Sequence, residues 1–481
     1  PDLTGNPNSY NTWLYFHGAA MILGFQIPAL TGFLANYCVP LMIGARDVAF
    51  PRLNALSVWL FFMGIVLALL TFVIPDPPDI MWTGYPPYSL KTAGNTAFYT
   101  FTVLFIGFSS ILGGVNFLTT VVYMRAPGLG WNQLNVYVWS ILAAFVIQLV
   151  FVPVLGTAVT MLSFDKYLGT TFFNPANGGD VLIYQNLFWF YSHPAVYVIL
   201  LPFIAITIDI IATFARNRVF NYKMVVYGGI GGVLLLSGEV WVHHLYTAGM
   251  PDWLRLGQMV STLLISVPVG LIMIGMVGTL YRGSIEFRTP MLYALGVLFT
   301  FLIGGLTGIP LAMASLDLNL SDTYFIPGHF HYVMAVSGTF AIFASVYYLF
   351  PKMTGRMYNE TAGRWGFVLS FIGINLVFFP MMIAGLHGMP RRYFDFDQFP
   401  QVYTHHMLMS IGALVIAIGM VVMLLNWIIG AMKGAPAGAN PWGSRSLEWT
   451  TASPPPPGNF AQIPRIQPDW SPYGYGRPHA S

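Results

Sequence analysis

Eleven apolar runs decide most of what this chain can become. They fall near 13–41, 54–74, 97–123, 135–162, 183–213, 225–245, 257–281, 291–313, 323–350, 366–386 and 405–430. A run of about 20 apolar residues is long enough to cross the hydrocarbon core of a bilayer as a helix. Hydrophobic residues make up 56% of the 481 and charged residues 8%, where soluble domains carry about 25% charged. The expected fold class is an all-α polytopic membrane protein with about eleven transmembrane helices. No cleavage motif precedes the first run, so it reads as a span and not as a signal peptide.

Loop charge gives an orientation. The loops at 42–53, 124–134, 214–224, 282–290 and 351–365 hold eleven Lys or Arg, and the opposite loops hold five. The positive-inside rule places the first set in the cytoplasm. Pro1 is then outside, and the tail with Pro454 to Pro457 is cytoplasmic, polar and extended. The chain divides into a bundle, 1–435, and a proline-rich tail, 436–481. A net charge of +3 gives no reason to expect a nucleic-acid partner; the lipid bilayer is the surrounding medium. The single cysteine, Cys38, excludes an internal disulfide framework and a thiolate-rich metal cluster.

The chemistry is concentrated in the spans. The run from Asp322 to Val333 contains His329-Phe330-His331. On a helix, i and i+2 are separated by roughly 200°, so the two imidazoles face opposite flanks and can serve two different groups. His17 stands in the first span, followed by Gly18, which would let a flat group come close. It is either a ligand or a satisfied structural histidine. His193 and Tyr197 are i and i+4 and share a face, with Pro194 between them freeing a carbonyl. They read either as a ligand with a proton-donating tyrosine or as an aromatic cluster. His243 and His244 are adjacent, which is unfavourable at membrane depth unless they are paired or metal-bound. Glu239 is i−4 to His243 and would share its helical face. It can be a further ligand, a proton donor or a hydrogen-bond partner for the imidazole.

Other residues mark the ends of spans. Asp47, with Asn36 and Asn54 nearby, can collect protons at a membrane mouth or simply cap a turn. Arg391 and Arg392 suit bidentate carboxylate binding, for example cofactor propionates, or can snorkel without a partner. His387, His405 and His406 read as interfacial. Asn116 is a buried amide without an assignable role.

Six of the ten histidines lie inside spans: His17, His193, His243, His244, His329 and His331. Imidazole suits iron and copper. Six ligands divide into two for a bis-histidine heme, one for a second heme and three for a non-heme metal.

These phrases closely resemble the catalytic subunit of heme-copper oxygen reductases, the cytochrome c oxidase subunit I family. The likeness covers nearly the whole chain: the stretches around His17, Val39 to Asn54, Arg125-Ala126-Pro127-Gly128, Thr171 to Tyr197, Trp241 to Thr247, Gly304 to Val333, Met389 to Tyr393 and Asn440-Pro441-Trp442-Gly443. The resemblance implies that residues 1–435 form a heme- and metal-binding catalytic bundle. It assigns His17 and His331 to a low-spin heme and His329 to a high-spin heme. His193, His243 and His244 go to the non-heme metal, copper in preference to iron. Tyr197 matches the tyrosine that the family cross-links to His193. Asp47, Asn36 and Asn54 match the mouth of a proton channel, and Arg391 and Arg392 match propionate partners. The implied setting is the plasma (inner) membrane of a bacterium or archaeon. The implied partners are other membrane subunits of a respiratory complex and an electron donor, either cytochrome c or a heme- or copper-bearing subunit.

Departures from the pattern bear on the substrate. The family's usual first helix precedes His17 by more residues than stand before it here, so either the chain is truncated or that helix is absent. Ala195 stands where many members have a glutamate, beside Tyr191-Ser192. Val269 and Ile272 occupy the places of a Thr and a Lys on a second proton path. Ser321 replaces a histidine near a structural magnesium, while Asp322 remains. Glu239 takes an apolar place. A carboxylate beside the non-heme metal and the missing Lys favour reduction of NO to N2O, with Glu239 and Tyr197 as the catalytic residues. The alternatives are reduction of O2 to water with an altered proton path, or a non-catalytic heme electron-transfer subunit.

Overall fold

The computed structural model describes residues 7–475. Among the described residues, ten helices are long and apolar enough to cross a membrane, and one shorter apolar helix joins them. In chain order they are α1 (Pro7–Met42), α2 (Pro51–Leu70), α3 (Thr96–Tyr123), α4 (Val136–Tyr167), α5 (Val181–Phe214), the short α6 (Met224–Glu239), α7 (Asp252–Leu280), α8 (Thr289–Ala312), α9 (Phe325–Thr354), α10 (Glu360–Leu386) and α11 (Pro400–Lys433). All eleven runs become helical, and no named strand occurs among the described residues.

Starts and stops follow local chemistry. Asn95, Asp180 and Asn359 accept the first free amides of α3, α5 and α10, from Ala97 (3.2 Å), Leu182 (2.8 Å) and Ala362 (2.9 Å); such caps satisfy donors that the helix cannot. Gly355 ends α9 in the left-handed conformation, φ +70°.

The helices differ sharply in burial. In the apolar window of α5, 94% of residues are buried, against 17% in α2 and 22% in α11. Helix α5 is therefore the axle, and α2 and α11 present wide apolar faces, as lipid-facing helices do. Helix α9 is also mostly buried. It touches α8 backbone to backbone: a Cβ on Gly304 would lie 2.4 Å from the Val333 nitrogen, so only glycine permits this approach beside the two histidines.

Two spans are not regular. In α1 the winding changes to π over Ala20–Gln26 and Pro28–Phe33, and in α9 over His331–Val336. Such wide turns are frequent at functional sites, and here they follow His17 closely and begin at His331. The sixth run departs further from expectation. It winds as π over Met224–Ile230, as α over Gly231–Leu236 and as 3-10 over Ser237–Glu239; it breaks at Val240 and resumes as 3-10 over Trp241–Leu245.

The five basic loops gather at one end of the bundle. Ala126 N bonds Ile43 O (2.8 Å), Ser284 N bonds Ala215 O (2.8 Å) and Met357 N bonds Ala435 O (2.8 Å). The tail, expected to be extended, is instead a strap folded across this end. Trp442, Trp449, Tyr473 and Tyr475 are buried. Lys352 Nζ donates to the carbonyls of Ala439 (3.0 Å), Thr451 (2.7 Å) and Ala452 (3.2 Å). The Tyr473 hydroxyl donates to Asp209 of α5. Aromatic rings and satisfied polar tips, absent from a simple proline count, make the strap pack.

Candidate functional site

The six span histidines fall into groups whose spacing can be read as coordination geometry. An imidazole nitrogen bonds a first-row metal at about 2.0–2.1 Å, which puts the ring centre about 3.2 Å from the ion. Two rings on opposite sides of one ion then stand about 6.4 Å apart, and two at the tetrahedral angle about 5.2 Å. The His17 and His331 rings are 6.5 Å apart and nearly parallel, at 17°, the arrangement of two ligands across one iron. The His331 Nδ1 donates to the carbonyl of Pro327 (2.6 Å). A carbonyl can only accept, so this bond fixes the tautomer and leaves Nε2 as the ligand atom. Phe378 stacks on the same ring, 4.4 Å away at 15°. Gly18 does not leave room for a flat group: a Cβ there would meet Trp82 at 2.9 Å.

His329 faces the other flank, toward α8, where the Thr307 hydroxyl meets its Nδ1 at 3.1 Å. The two-flank reading of His329 and His331 therefore survives the change of winding between them.

His193, His243 and His244 converge. Their potential ligand atoms all lie within 4.8 Å of one another. Ring separations are 4.5 Å for His193–His243, 5.3 Å for His193–His244 and 4.3 Å for His243–His244, close to a three-imidazole cage. The His193 Nδ1 and His244 Nε2 atoms are 3.1 Å apart, and the His193 Nε2 is buried with no partner. Around the cage, the Thr262 hydroxyl of α7 meets the His243 Nδ1 at 3.1 Å. Trp189 stacks on His244 at 3.7 Å and 10°, and its indole N–H donates to the Tyr85 hydroxyl. Sequence reasoning missed Thr262 and Trp189. Trp189 was detectable as i−4 to His193 on α5; Thr262 was not, because its partner is on another helix.

Tyr197 lies against His193, ring centres 4.8 Å apart at 63°, as their shared face requires. Glu239 is not brought to the cage. The i−4 relation places two residues on one face only in a continuous α-helix, and here the chain is 3-10 and broken at Val240. Glu239 is exposed. Its carbonyl accepts from Ser261 (2.7 Å), and its carboxylate has no hydrogen-bond or ion-pair partner among the described residues.

At the strap end, the Asn54 side chain donates to Asn36 (2.7 Å) and Asn36 to the Gly32 carbonyl (2.7 Å). Asp47 is exposed, and its carboxylate accepts from Val48 N (2.7 Å). Asn116 now has a role: with Thr120 it pins the loop between α1 and α2 through Phe50 N (2.8 Å) and Ala49 N (2.8 Å). Further along, Ser109 bonds the Ser57 carbonyl (2.6 Å). A small cavity lined by Ser110 then reaches Tyr191, two residues from His193.

At the other end, Arg391 is paired with Asp322 through Nε (2.8 Å) and a terminal nitrogen (2.6 Å), and Arg392 stands 3.9 Å from the same carboxylate. Nearby Asp317 is buried. Burial lifts its carboxyl to about 7, with Asp322 adding to the rise and Arg391 opposing it.

A helical membrane bundle with one imidazole pair at the spacing of two ligands on opposite sides of an ion, a lone imidazole two residues away and a three-imidazole cage has a donor set that fits hemes and a further metal. Comparison with known proteins agrees. The profile of the cytochrome c and quinol oxidase polypeptide I family matches residues 1–415. Cytochrome c oxidase subunit 1 of Thermostichus vulcanus is 43% identical over 472 residues, 98% of this chain and 84% of the relative. The subunit 1 of Cereibacter sphaeroides is 42% identical over 477 residues, 97% and 83% of the two chains. A solved heme-copper terminal oxidase dimer shares the fold, with TM-score 0.72 at 17% identity over 89% of this chain and 78% of that one. The chain belongs to the cytochrome c and quinol oxidase polypeptide I family and is a heme-copper oxidase catalytic subunit.

Proposed function

We propose that this chain reduces O2 to water as the catalytic subunit of a respiratory complex in the plasma membrane of a bacterium or archaeon, with the strap end in the cytoplasm. The observation that carries the reading is Tyr197 held against His193 of the three-imidazole cage. The relatives named above are cytochrome c oxidases, and that name supports the same substrate.

His17 and His331 would hold a low-spin heme, His329 a high-spin heme, and His193, His243 and His244 a copper. When bound, these groups would relay electrons and offer the open coordination positions at which a diatomic gas is reduced. The protein's own contribution is positional and protonic. The Pro327 carbonyl, Thr307 and Thr262 orient three of the imidazoles. Phe330 alone separates His329 from His331, a short covalent link between two pockets. Tyr197, packed against His193, would be a proton donor to the cage. Asp47 would collect protons, and Asn36, Asn54, Ser57, Ser109 and Ser110 mark a polar route toward Tyr191. Arg391 and Arg392, both facing the Asp322 carboxylate, would also bind propionates. Electrons would come from a partner subunit or cytochrome c.

The expectation of NO reduction rested on Glu239 beside the non-heme metal, and that carboxylate is elsewhere. One observation still favours NO, the apolar pair Val269 and Ile272 on α7. The deciding experiment feeds O2 and NO in turn to one preparation of the purified reduced complex, with Fe and Cu counted. Fast O2 uptake with one Cu per two hemes is expected. Fast NO loss with little O2 uptake would overturn the reading.

A further inference from the structure

Ten histidines are in the chain, and six belong to the centres above. Of the remainder, His387 closes α10 and His405 and His406 open α11. These three were read from the sequence as interfacial residues. In the fold, the turn back from α10 to α11 brings His387 and His405 together, with ring centres 5.4 Å apart at 79°. The distance for two imidazoles on one tetrahedral ion is about 5.2 Å, and the cage pair His193–His244 stands at 5.3 Å.

Neither ring of His387 nor that of His405 has a hydrogen-bond partner among the described residues. The His405 Nδ1 is buried and unpartnered. A buried imidazole nitrogen without a partner is unfavourable, which a bound cation would relieve. His406 points elsewhere, stacked on Phe396 at 4.1 Å and 17°. His387 is exposed, so an ion can reach the pair from solvent.

We propose that His387 and His405 form a second, peripheral metal site that takes a borderline divalent cation, Zn2+ or Cu2+, with solvent completing the shell. Two imidazoles and no carboxylate select these ions over Mg2+ or Ca2+. The ion staples the end of α10 to the first turn of α11. It thereby braces the loop 388–402, which carries Arg391 and Arg392. The site lies outside the catalytic cage and does not depend on which gas is reduced.

The test uses the purified complex, washed with chelator and given one equivalent of ZnCl2. Zinc-edge X-ray absorption, which ignores the iron and copper, should show two imidazole ligands. A shell of oxygen alone would overturn the proposal, and this measurement needs no variant. His387→Ala and His405→Gln should each lose the added zinc with heme and copper content unchanged. They should also lose the zinc-induced rise in Tm, expected at about 2 °C or more in the unmodified complex. Equal zinc retention and an equal Tm rise in both variants would also overturn it.

Discussion

The three-imidazole cage is assembled from two pieces of chain that could hardly differ more. Its first imidazole, His193, stands on α5, a regular helix buried along nearly its whole apolar length despite Pro194 and Pro202. Its other two imidazoles stand on residues 224–245, which change winding twice and break at Val240 before reaching them. On α5, side-chain positions follow from spacing, so Trp189, His193 and Tyr197 share one face at intervals of about one turn. On the other piece they do not, and Thr262 of α7 and Trp189 of α5 supply the orientation that helical regularity would have given. A ligand on a regular helix is placed by its own backbone; a ligand on irregular chain must be held by neighbours.

That contrast can be tested. The largest effect should come from His193→Ala and His243→Ala, each of which should lose the non-heme metal and all turnover while both hemes keep their absorbance; metal analysis checks this. If either variant keeps a full complement of that metal, the cage is wrongly assigned. Tyr197→Phe should keep all metals but slow turnover by about 10²-fold or more, as loss of a positioned proton donor does. Thr262→Val should weaken non-heme metal retention by about 10-fold or more in a chelator competition, since the irregular piece depends on that bond. Unchanged retention would mean that the irregular chain holds His243 unaided.

Smaller is the effect at the strap. Burial lifts the Glu448 carboxyl from 4.5 to about 6, so the folded state holds this proton more tightly than the unfolded chain. The resulting stability, about 2 kcal/mol, is present in full below about pH 4.5 and is lost as pH rises through 6. Glu448→Gln should flatten protease protection of the strap across that window; a profile as steep as the unmodified protein's would count against it. The smallest effect is Glu239→Gln, where turnover should stay within about twofold because an exposed carboxylate away from the cage has no proton to deliver there. A large loss would restore Glu239 to the chemistry and break the contrast from the other side.

Much of this architecture was legible from local pattern. Apolar length gave every span, because the bilayer imposes it. Spacing alone placed His193 with Tyr197 and sent His329 and His331 to opposite flanks, since each pair lies on one short stretch. Three features were not legible. Glu239 was misplaced because i−4 assumes a continuous α-helix, and no residue type announces a change to 3-10 winding. Thr307, Thr262 and the pairing of His387 with His405 are contacts between helices, and one sequence carries no signal for them. The strap was read as extended from Pro454 to Pro457, whereas the aromatic residues on either side of those prolines decide its packing.

The strap also has a consequence for how the molecule is made. Lys352 and Asp209 lie in spans synthesised before it, yet their polar atoms are satisfied by carbonyls and a tyrosine hydroxyl from residues 439–473. Until those residues leave the ribosome, an ammonium and a carboxyl wait at the ends of inserted helices without these partners. The bundle can therefore thread into the bilayer in order, but it locks from the other end of the chain.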